Sequence, residues 1–182
     1  MEDVAIVVDS NVVFAALIRE MGLNRYVVTV IPTIIPFHYP KGLKIEIVRH
    51  VKELSRKSKK SVGEVLAALR AILEGMSEVE IPKALLQTSV EYVKDVSDAP
   101  FVAAALLLKE KYENVIILTW NTKDYREERL WERGVAVSTP EEFMQALKLR
   151  YRRSETVKTI KTSGRILRIN KTLLSVWGED KE

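Results

Sequence analysis

Six side chains that could bind a metal ion occur in four separated patches of the sequence. Each patch contains at least one carboxylate, and an asparagine accompanies the last: Asp9, Glu46, Asp95, Asp98, Asn121 and Asp124. Mg²⁺ and Mn²⁺ prefer oxygen ligands of these kinds. Carboxylates that share a site without a cation repel one another and raise their own pKa values. The residue types therefore indicate a site for a hard divalent cation, provided that the fold brings the four patches together.

Two of the patches follow apolar runs that predict buried strands. Residues 4–8 (VAIVV) come directly before Asp9, and residues 115–118 (VIIL) lie just before Asn121. Such continuous apolar runs are typical of parallel strands that are covered on both faces. Strands alternate with helices along the chain, which predicts a three-layer α/β/α sandwich around a central parallel sheet. The carboxyl ends of parallel strands share one edge, so the acidic residues can meet there.

Periodicity and capping signals predict the remaining elements. Ser61, with Glu64 three residues later, forms a capping box at the start of one helix. The predicted helices cover the segment from Asp9 to near Gly22, then residues 42–57, 61–75, 82–94, 98–108, 125–133 and 140–151. The apolar segment 26–37 is interrupted by prolines, which predicts one short strand within an irregular passage, and residues 135–137 form a last strand.

Composition limits the class of protein. The chain has 182 residues and is 47% apolar, which fits one domain over residues 1–150 with an appendage over residues 151–182. Cysteine is absent, so disulfides and thiolate metal sites are excluded. There is no apolar run of the ~18 residues that a membrane span needs, and the first residues lack a basic leader. These features predict a cytoplasmic protein with no membrane partner.

Basic residues are concentrated near the C-terminus. Residues 148–171 carry nine Lys or Arg against the single Glu155, whereas residues 1–147 have a small excess of acidic side chains. Short β-type runs in this appendage (TVKTI, RILRI and LLSVW) predict a small β-rich unit. A basic segment beside an acidic domain is typical of a protein that binds a polyanion such as RNA. We expect Arg152, Arg153, Arg165 and Arg168 to contact RNA phosphates; a solvated helix end or a dimer contact are the alternatives.

The order and local contexts of the four patches resemble the PIN domain, a family of metal-dependent ribonucleases. The resemblance covers about residues 4–147. It rests on VVDSNVVFAAL around Asp9, on Glu46, on D-x-x-D-A-P-F-V-A from Asp95, and on T-W-N-T-K-D-Y from Thr119. The third of these motifs is the most specific. The segment GVAVSTPEEF is similar to the strand and helix that usually follow in the family.

The resemblance assigns a role to each residue of the motifs. Asp9, Glu46 and Asp98 correspond to the acids that hold the catalytic metal, Mg²⁺ or Mn²⁺, and Asp95 corresponds to a helper. Ser10, Asn11 and Thr119 correspond to supporting residues. Asn121 stands where many members have an aspartate, so Asp124 is the alternative source of the fourth charge.

The resemblance implies an RNA-hydrolysing enzyme that forms a homodimer. Two alternatives remain: a toxin nuclease controlled by an antitoxin protein, and a non-catalytic RNA-binding or assembly module. Each acid also has a purely structural explanation when taken alone. Asp9 could cap a helix, Glu46 could be a surface charge and Asp124 could be a turn residue.

Overall fold

A computed structural model describes residues 4–155, with side chains described up to Lys148. The described part of the chain contains five strands: β1 (Val4–Val8), β2 (Phe37–Pro40), β3 (Ser77–Val79), β4 (Asn114–Leu118) and β5 (Val135–Ser138). Its α-helices are α1 (Ser10–Ile18), α2 (Leu23–Thr29), α3 (Gly42–Arg49), α4 (Val51–Ser58), α5 (Val62–Glu74), α6 (Lys83–Ser89), α7 (Ala99–Leu108), α8 (Glu127–Glu132) and α9 (Pro140–Glu155). Of the appendage predicted over residues 151–182, the first five residues continue α9, and the rest lies outside the described residues.

The five strands form one parallel sheet in the order β3-β2-β1-β4-β5. With this strand order, the right-handed rule for parallel crossovers assigns α1–α5 to one face of the sheet and α6–α8 to the other. Helix α7 packs on β1, β2 and β4, while α1 contacts α2, α3, α4 and α5. The predicted three-layer α/β/α sandwich with a parallel sheet is confirmed.

The central strands are apolar because both of their faces are covered. Residues Ala5–Val8 of β1 and Val115–Leu118 of β4 are completely buried. Val8 pairs with Leu118, and Leu118 pairs with Ser138 on its other side. This register places Asp9 next to Thr119, since each residue directly follows its strand. The strand order reverses between β1 and β4, which is where open α/β sheets form a crevice.

Several predicted elements are confirmed where local signals are strong. The Asp9 side chain caps α1 by accepting a hydrogen bond from the Asn11 N–H. Ser61 and Glu64 form the predicted capping box of α5. Helix α7 begins directly after Asp98 with Pro100 in its first turn, and most of its residues are buried.

Four details of the sequence prediction are wrong. The helix predicted over 42–57 is interrupted at His50, whose ring packs edge-on against Phe14. The segment 26–37, predicted as an irregular passage with one short strand, begins inside helix α2, and the strand β2 starts only at its last residue, Phe37. Helix α6 ends at Ser89 rather than near Lys94, because a 3-10 turn leads into a bridge between Val93 and Tyr125. The three-residue edge strand β3 was not predicted. Among the described residues, no helix has the length and apolar character to cross a membrane.

Candidate active site

Asp9 lies at the carboxyl end of β1 and is 2% exposed. Its backbone N–H continues the sheet by donating to the Leu118 carbonyl oxygen at 2.9 Å. The side chain serves as the N-cap of α1, so both the strand and the helix fix its position. Burial raises the pKa of Asp9, and hydrogen bonds from Thr119, Asn11, Tyr125 and Ser10 oppose that rise. The carboxylate is therefore removed from water but well supplied with donors.

The hydrogen-bond donors to Asp9 come from the segments that follow β1 and β4. Oδ2 accepts hydrogen bonds from Thr119 Oγ1 (2.7 Å), Asn11 Nδ2 (3.0 Å) and the Tyr125 hydroxyl (3.0 Å). Oδ1 accepts longer bonds from the Asn11 N–H and the Ser10 hydroxyl, both at 3.3 Å. The more strongly bonded oxygen is thus Oδ2, which leaves Oδ1 the more available of the two.

Glu46 reaches this site from α3, the helix that follows β2. Its Oε1 accepts a hydrogen bond from Ser10 Oγ at 3.0 Å. Ser10 also lies 3.3 Å from Asp9 Oδ1, so its single hydroxyl proton can serve only one of the two acids at a time. The serine therefore links the first and second acidic patches.

The third patch forms the turn before α7. Asp95 is exposed, and its Oδ1 accepts from the Ser97 N–H at 2.9 Å, a hydrogen bond that lowers the pKa of Asp95. Asp98 is partly buried, and its side chain makes no capping hydrogen bond. Burial raises the pKa of Asp98 to about 7, and negative charges on nearby acids add to the rise: Asp9, Asp95, Asp124 and Glu46. We call these four acids and Asp98 the acidic cluster.

The fourth patch follows β4. Thr119 is fully buried and accepts hydrogen bonds from Asn11 Nδ2 at 2.9 Å and from the Asn121 N–H at 3.0 Å. Asn121 turns its amide group toward its own loop, where Nδ2 donates to Asp124 Oδ2. The charged member of this patch is therefore Asp124, and Asn121 acts as its hydrogen-bond donor.

Tyr125 was not identified as a site residue from the sequence. It is 3% exposed, and its hydroxyl donates to Asp9. Burial raises its pKa far above the ordinary tyrosine value, with the charges of Asp9 and Asp98 adding to the effect, so the phenol keeps its proton. An aromatic residue after Asp124 was the only signal in the sequence, and it does not reveal that the side chain turns back toward β1.

The structure brings together the acids of all four patches, together with Ser10, Asn11 and Thr119. The side chains of Arg152 and Arg153 are not described, and Arg165 and Arg168 lie outside the described residues. The predicted RNA contacts of these arginines stay predictions. The catalytic and metal-binding roles of the acids also stay predictions, since proximity alone does not establish them.

The acidic cluster has the donor chemistry for a hard cation but not a complete chelate. Within the described part of the chain, no three His, Asp or Glu side chains already stand in an arrangement that would hold one metal ion. In the same part, none of the five acids forms an ion pair with Lys or Arg. Among the described residues no ion pair offsets their charge, which fits a divalent cation bound through carboxylate oxygens. Closing such a chelate requires side-chain rotation, and Glu46 and Asp98 are only partly buried.

Fold and site together define a parallel α/β protein with an acidic cluster at the edge of the sheet where the strand order reverses between β1 and β4. The sequence matches the PIN domain family over residues 7–111, and the chain therefore belongs to that family. The match confirms the resemblance to the family and spans the first three patches, while the fourth patch lies beyond the matched residues.

Comparison with solved structures gives the same fold. The chain is similar to a chain in the crystal structure of VapBC2 from Rickettsia felis bound to a DNA fragment from their promoter. The TM-score is 0.52 at 11% sequence identity, covering 74% of this chain and 98% of the other. No curated protein sequence gives a significant match.

Proposed function

We propose that this protein is a divalent-metal-dependent ribonuclease that hydrolyses phosphodiester bonds of RNA. PIN domains are generally nucleases, and the chain belongs to that family. The observation that carries the proposal is the acidic cluster, in which burial and four like charges raise the pKa of Asp98 to about 7. Unbalanced negative charge of this kind favours the binding of a cation.

Asp9, Glu46 and Asp98 would hold Mg²⁺ or Mn²⁺, and Asp95 and Asp124 would add negative charge around them. When bound, the ion would supply Lewis acidity toward the phosphodiester and lower the pKa of a water molecule. Asp9 is the best oriented of the acids, since donors reach both of its oxygens. It would therefore present a fixed carboxylate, while Glu46 and Asp98 adjust.

The raised pKa of Asp98 predicts how metal binding depends on pH. Without a cation, Asp98 therefore holds its proton to a much higher pH than an ordinary aspartate. The cation must displace that proton, so its apparent affinity should rise as the pH increases from about 6 to 8. Proton release on adding Mn²⁺ is a direct readout of this competition, independent of RNA cleavage.

Cleavage of a labelled single-stranded RNA by the full chain tests the proposal. We expect cleavage in Mn²⁺ or Mg²⁺, none in excess chelator, and loss of activity in Asp9→Asn. Glu53→Gln is the matched control, because Glu53 is an acid on α4 that pairs with Lys57 instead of joining the acidic cluster. Full activity of Asp9→Asn, or activity in excess chelator, would contradict the proposal. Binding of RNA without cleavage would favour the alternative of a non-catalytic RNA-binding module.

The basic C-terminal segment would hold the RNA backbone without reading its sequence. Binding should then weaken with salt, with a log–log slope of about −0.7 for each phosphate contact of a single strand. Replacing Arg152, Arg153, Arg165 and Arg168 by Gln should flatten that slope. An unchanged slope, together with a shift toward monomer after removal of residues 154–182, would instead favour a role in the proposed homodimer.

A second candidate is the same chemistry used as a toxin that an antitoxin chain controls. The similar structure from Rickettsia felis is a complex named VapBC2, and this chain has a groove of about 440 Å³, lined by apolar and charged side chains, that such a partner could cover. Exposed Val48 and Leu66 lie at the groove. Co-expression with the product of the adjacent gene should give a complex of defined mass that inhibits cleavage. Leu66→Glu should disrupt that complex while leaving Mn²⁺ binding unchanged.

A further inference from the structure

Trp120 is a large aromatic residue that the acidic cluster does not explain. It follows Thr119, which is fully buried and bonded to Asp9, and it precedes Asn121, which bonds to Asp124. Despite this position, Trp120 is 38% exposed. Exposed apolar residues are common singly, but a tryptophan exposed at the edge of an acidic cluster calls for an explanation.

Two hydrogen bonds fix Trp120 relative to Asp9. Its backbone N–H donates to Asn11 Oδ1 at 3.1 Å, and the same asparagine donates from Nδ2 to Asp9. Its indole N–H donates to Asn24 Oδ1 at 2.9 Å, which attaches the ring to α2. The backbone of Trp120 is thus held by the asparagine that also positions the first acid, and its ring is held by Asn24.

Apart from one nitrogen, the ring of the Trp120 side chain consists of aromatic carbon. The indole nitrogen is the only polar atom of that side chain, and Asn24 already accepts its proton. The Trp120 side chain therefore has no free hydrogen-bond donor with which to read a partner. Its flat aromatic ring suits stacking against another ring.

The neighbouring acidic patch presents a second apolar side chain to solvent. Val96 lies between Asp95 and Asp98 in the turn before α7 and is 63% exposed. Two separate acidic patches therefore combine carboxylates with exposed apolar surface. A nucleotide could use both, since a cation held by the carboxylates would take the phosphodiester and an apolar side chain would take the face of the base.

We infer that Trp120 is a stacking platform for one unpaired base of the RNA, next to the phosphodiester presented to the acidic cluster. The inference rests on the proposed ribonuclease function and adds a substrate requirement to it. A base inside a duplex cannot stack on a protein side chain, so the platform selects unpaired RNA. It is tolerant of base identity, because every base has a π-face.

A double-mutant cycle tests the platform. Full-length protein carrying Asp9→Asn, which keeps the RNA intact, is titrated with a labelled single strand and with the same strand made abasic at one position, scanned in turn. Trp120→Leu keeps apolar volume but removes the aromatic ring. At one position of the strand we expect Trp120→Leu alone and the abasic change alone each to weaken binding roughly 5- to 100-fold, the range for loss of one stacked base. The two changes together should weaken binding by much less than the product of their separate effects.

Two further variants separate stacking from structural damage. Trp120→Phe should retain most of the coupling, because it keeps an aromatic face while losing the bond to Asn24. Trp131→Leu is the matched control, since Trp131 is similarly exposed, at 42%, but lies on α8; it should leave the cycle unchanged. The platform is ruled out if Trp120→Leu weakens intact and abasic strands equally at every position, or weakens neither. Cleavage by protein with Asp9 intact is measured in parallel, so that loss of the platform and loss of the nuclease function are told apart.

Discussion

Replacing Asp98 by Asn should make the metal-free protein more stable at alkaline pH. Burial and the charges of the other acids raise the pKa of Asp98 from 3.8 to about 7. Above that pH the folded protein must keep an unfavourable charge that Asn does not carry. The substitution removes no capping hydrogen bond, because the Asp98 side chain makes none. The gain in stability should therefore be visible directly.

The magnitude follows from the pKa and the exposure of Asp98. A rise from 3.8 to about 7 corresponds to about 4 kcal/mol for a fully buried group. Asp98 is only partly buried, so solvent screens the repulsion, and we expect about 1–2 kcal/mol near pH 8. For a chain of this length that gain is roughly 2–8 °C in Tm.

The sign of the pH dependence is fixed by linkage. The folded protein binds the Asp98 proton more tightly than the unfolded chain, so this group lowers stability as the pH rises from about 4 to 7. The difference between Asp98→Asn and the wild-type chain should be near zero at pH 4 and reach its full value by about pH 8.

Urea unfolding in chelator at several pH values provides the measurement. Asp95→Asn is the control, because a hydrogen bond from the Ser97 N–H lowers the pKa of Asp95, and removing that charge should give no comparable gain. A loss of stability in Asp98→Asn at pH 8, or a gain that does not vary with pH, would refute the reasoning.

Three other substitutions test the contacts of Tyr125, His38 and Asp124. Tyr125→Phe removes a hydrogen-bond donor from the buried Asp9 carboxylate and should lower the free energy of unfolding in urea near pH 8 by about 1.5–3 kcal/mol. A loss below about 0.5 kcal/mol would contradict a stabilising role for that hydrogen bond. His38 is buried with neither ring nitrogen hydrogen-bonded, and burial and the charge of Lys111 lower its pKa. The stability of the wild-type protein should therefore fall as the pH drops below about 6.5, and His38→Phe should remove that fall. An unchanged pH profile in His38→Phe would contradict this expectation. Asp124→Asn should weaken Mn²⁺ binding in a calorimetric titration. Adding Asn121→Asp to that variant should not restore the affinity, because Asn121→Asp removes the amide that donates to residue 124. Restored affinity would make position 121 the ligand.

Sequence information was sufficient where neighbouring residues determine the structure. The buried runs of β1 and β4, the Asp9 cap and the Ser61–Glu64 capping box all depend on short segments, and they were predicted correctly. The family motifs also placed Ser10 and Thr119 at the site. Their bonds to Glu46 and Asp9 depend on the strand register, but the motifs preserve the residues that make them.

The errors arise where contacts distant in sequence decide the structure. The break between α3 and α4 at His50 accompanies packing against Phe14. The end of α6 depends on pairing between the segments around Val93 and Tyr125. The same pairing carries the Tyr125 hydroxyl to Asp9, so the misplaced helix end and the missed site residue have one cause. Strand β3 was missed because its three residues are mostly exposed and lack an apolar run.

Anomalous diffraction from a crystal of the full chain soaked in Mn²⁺ tests the central claim most directly. The account predicts a manganese peak at the carboxyl end of β1, bound by oxygens of Asp9 and Asp98 with Glu46 turned toward it, and no such peak in Asp9→Asn. A peak bound only by acids outside the acidic cluster, or no peak at Mn²⁺ concentrations that support RNA cleavage, would contradict it.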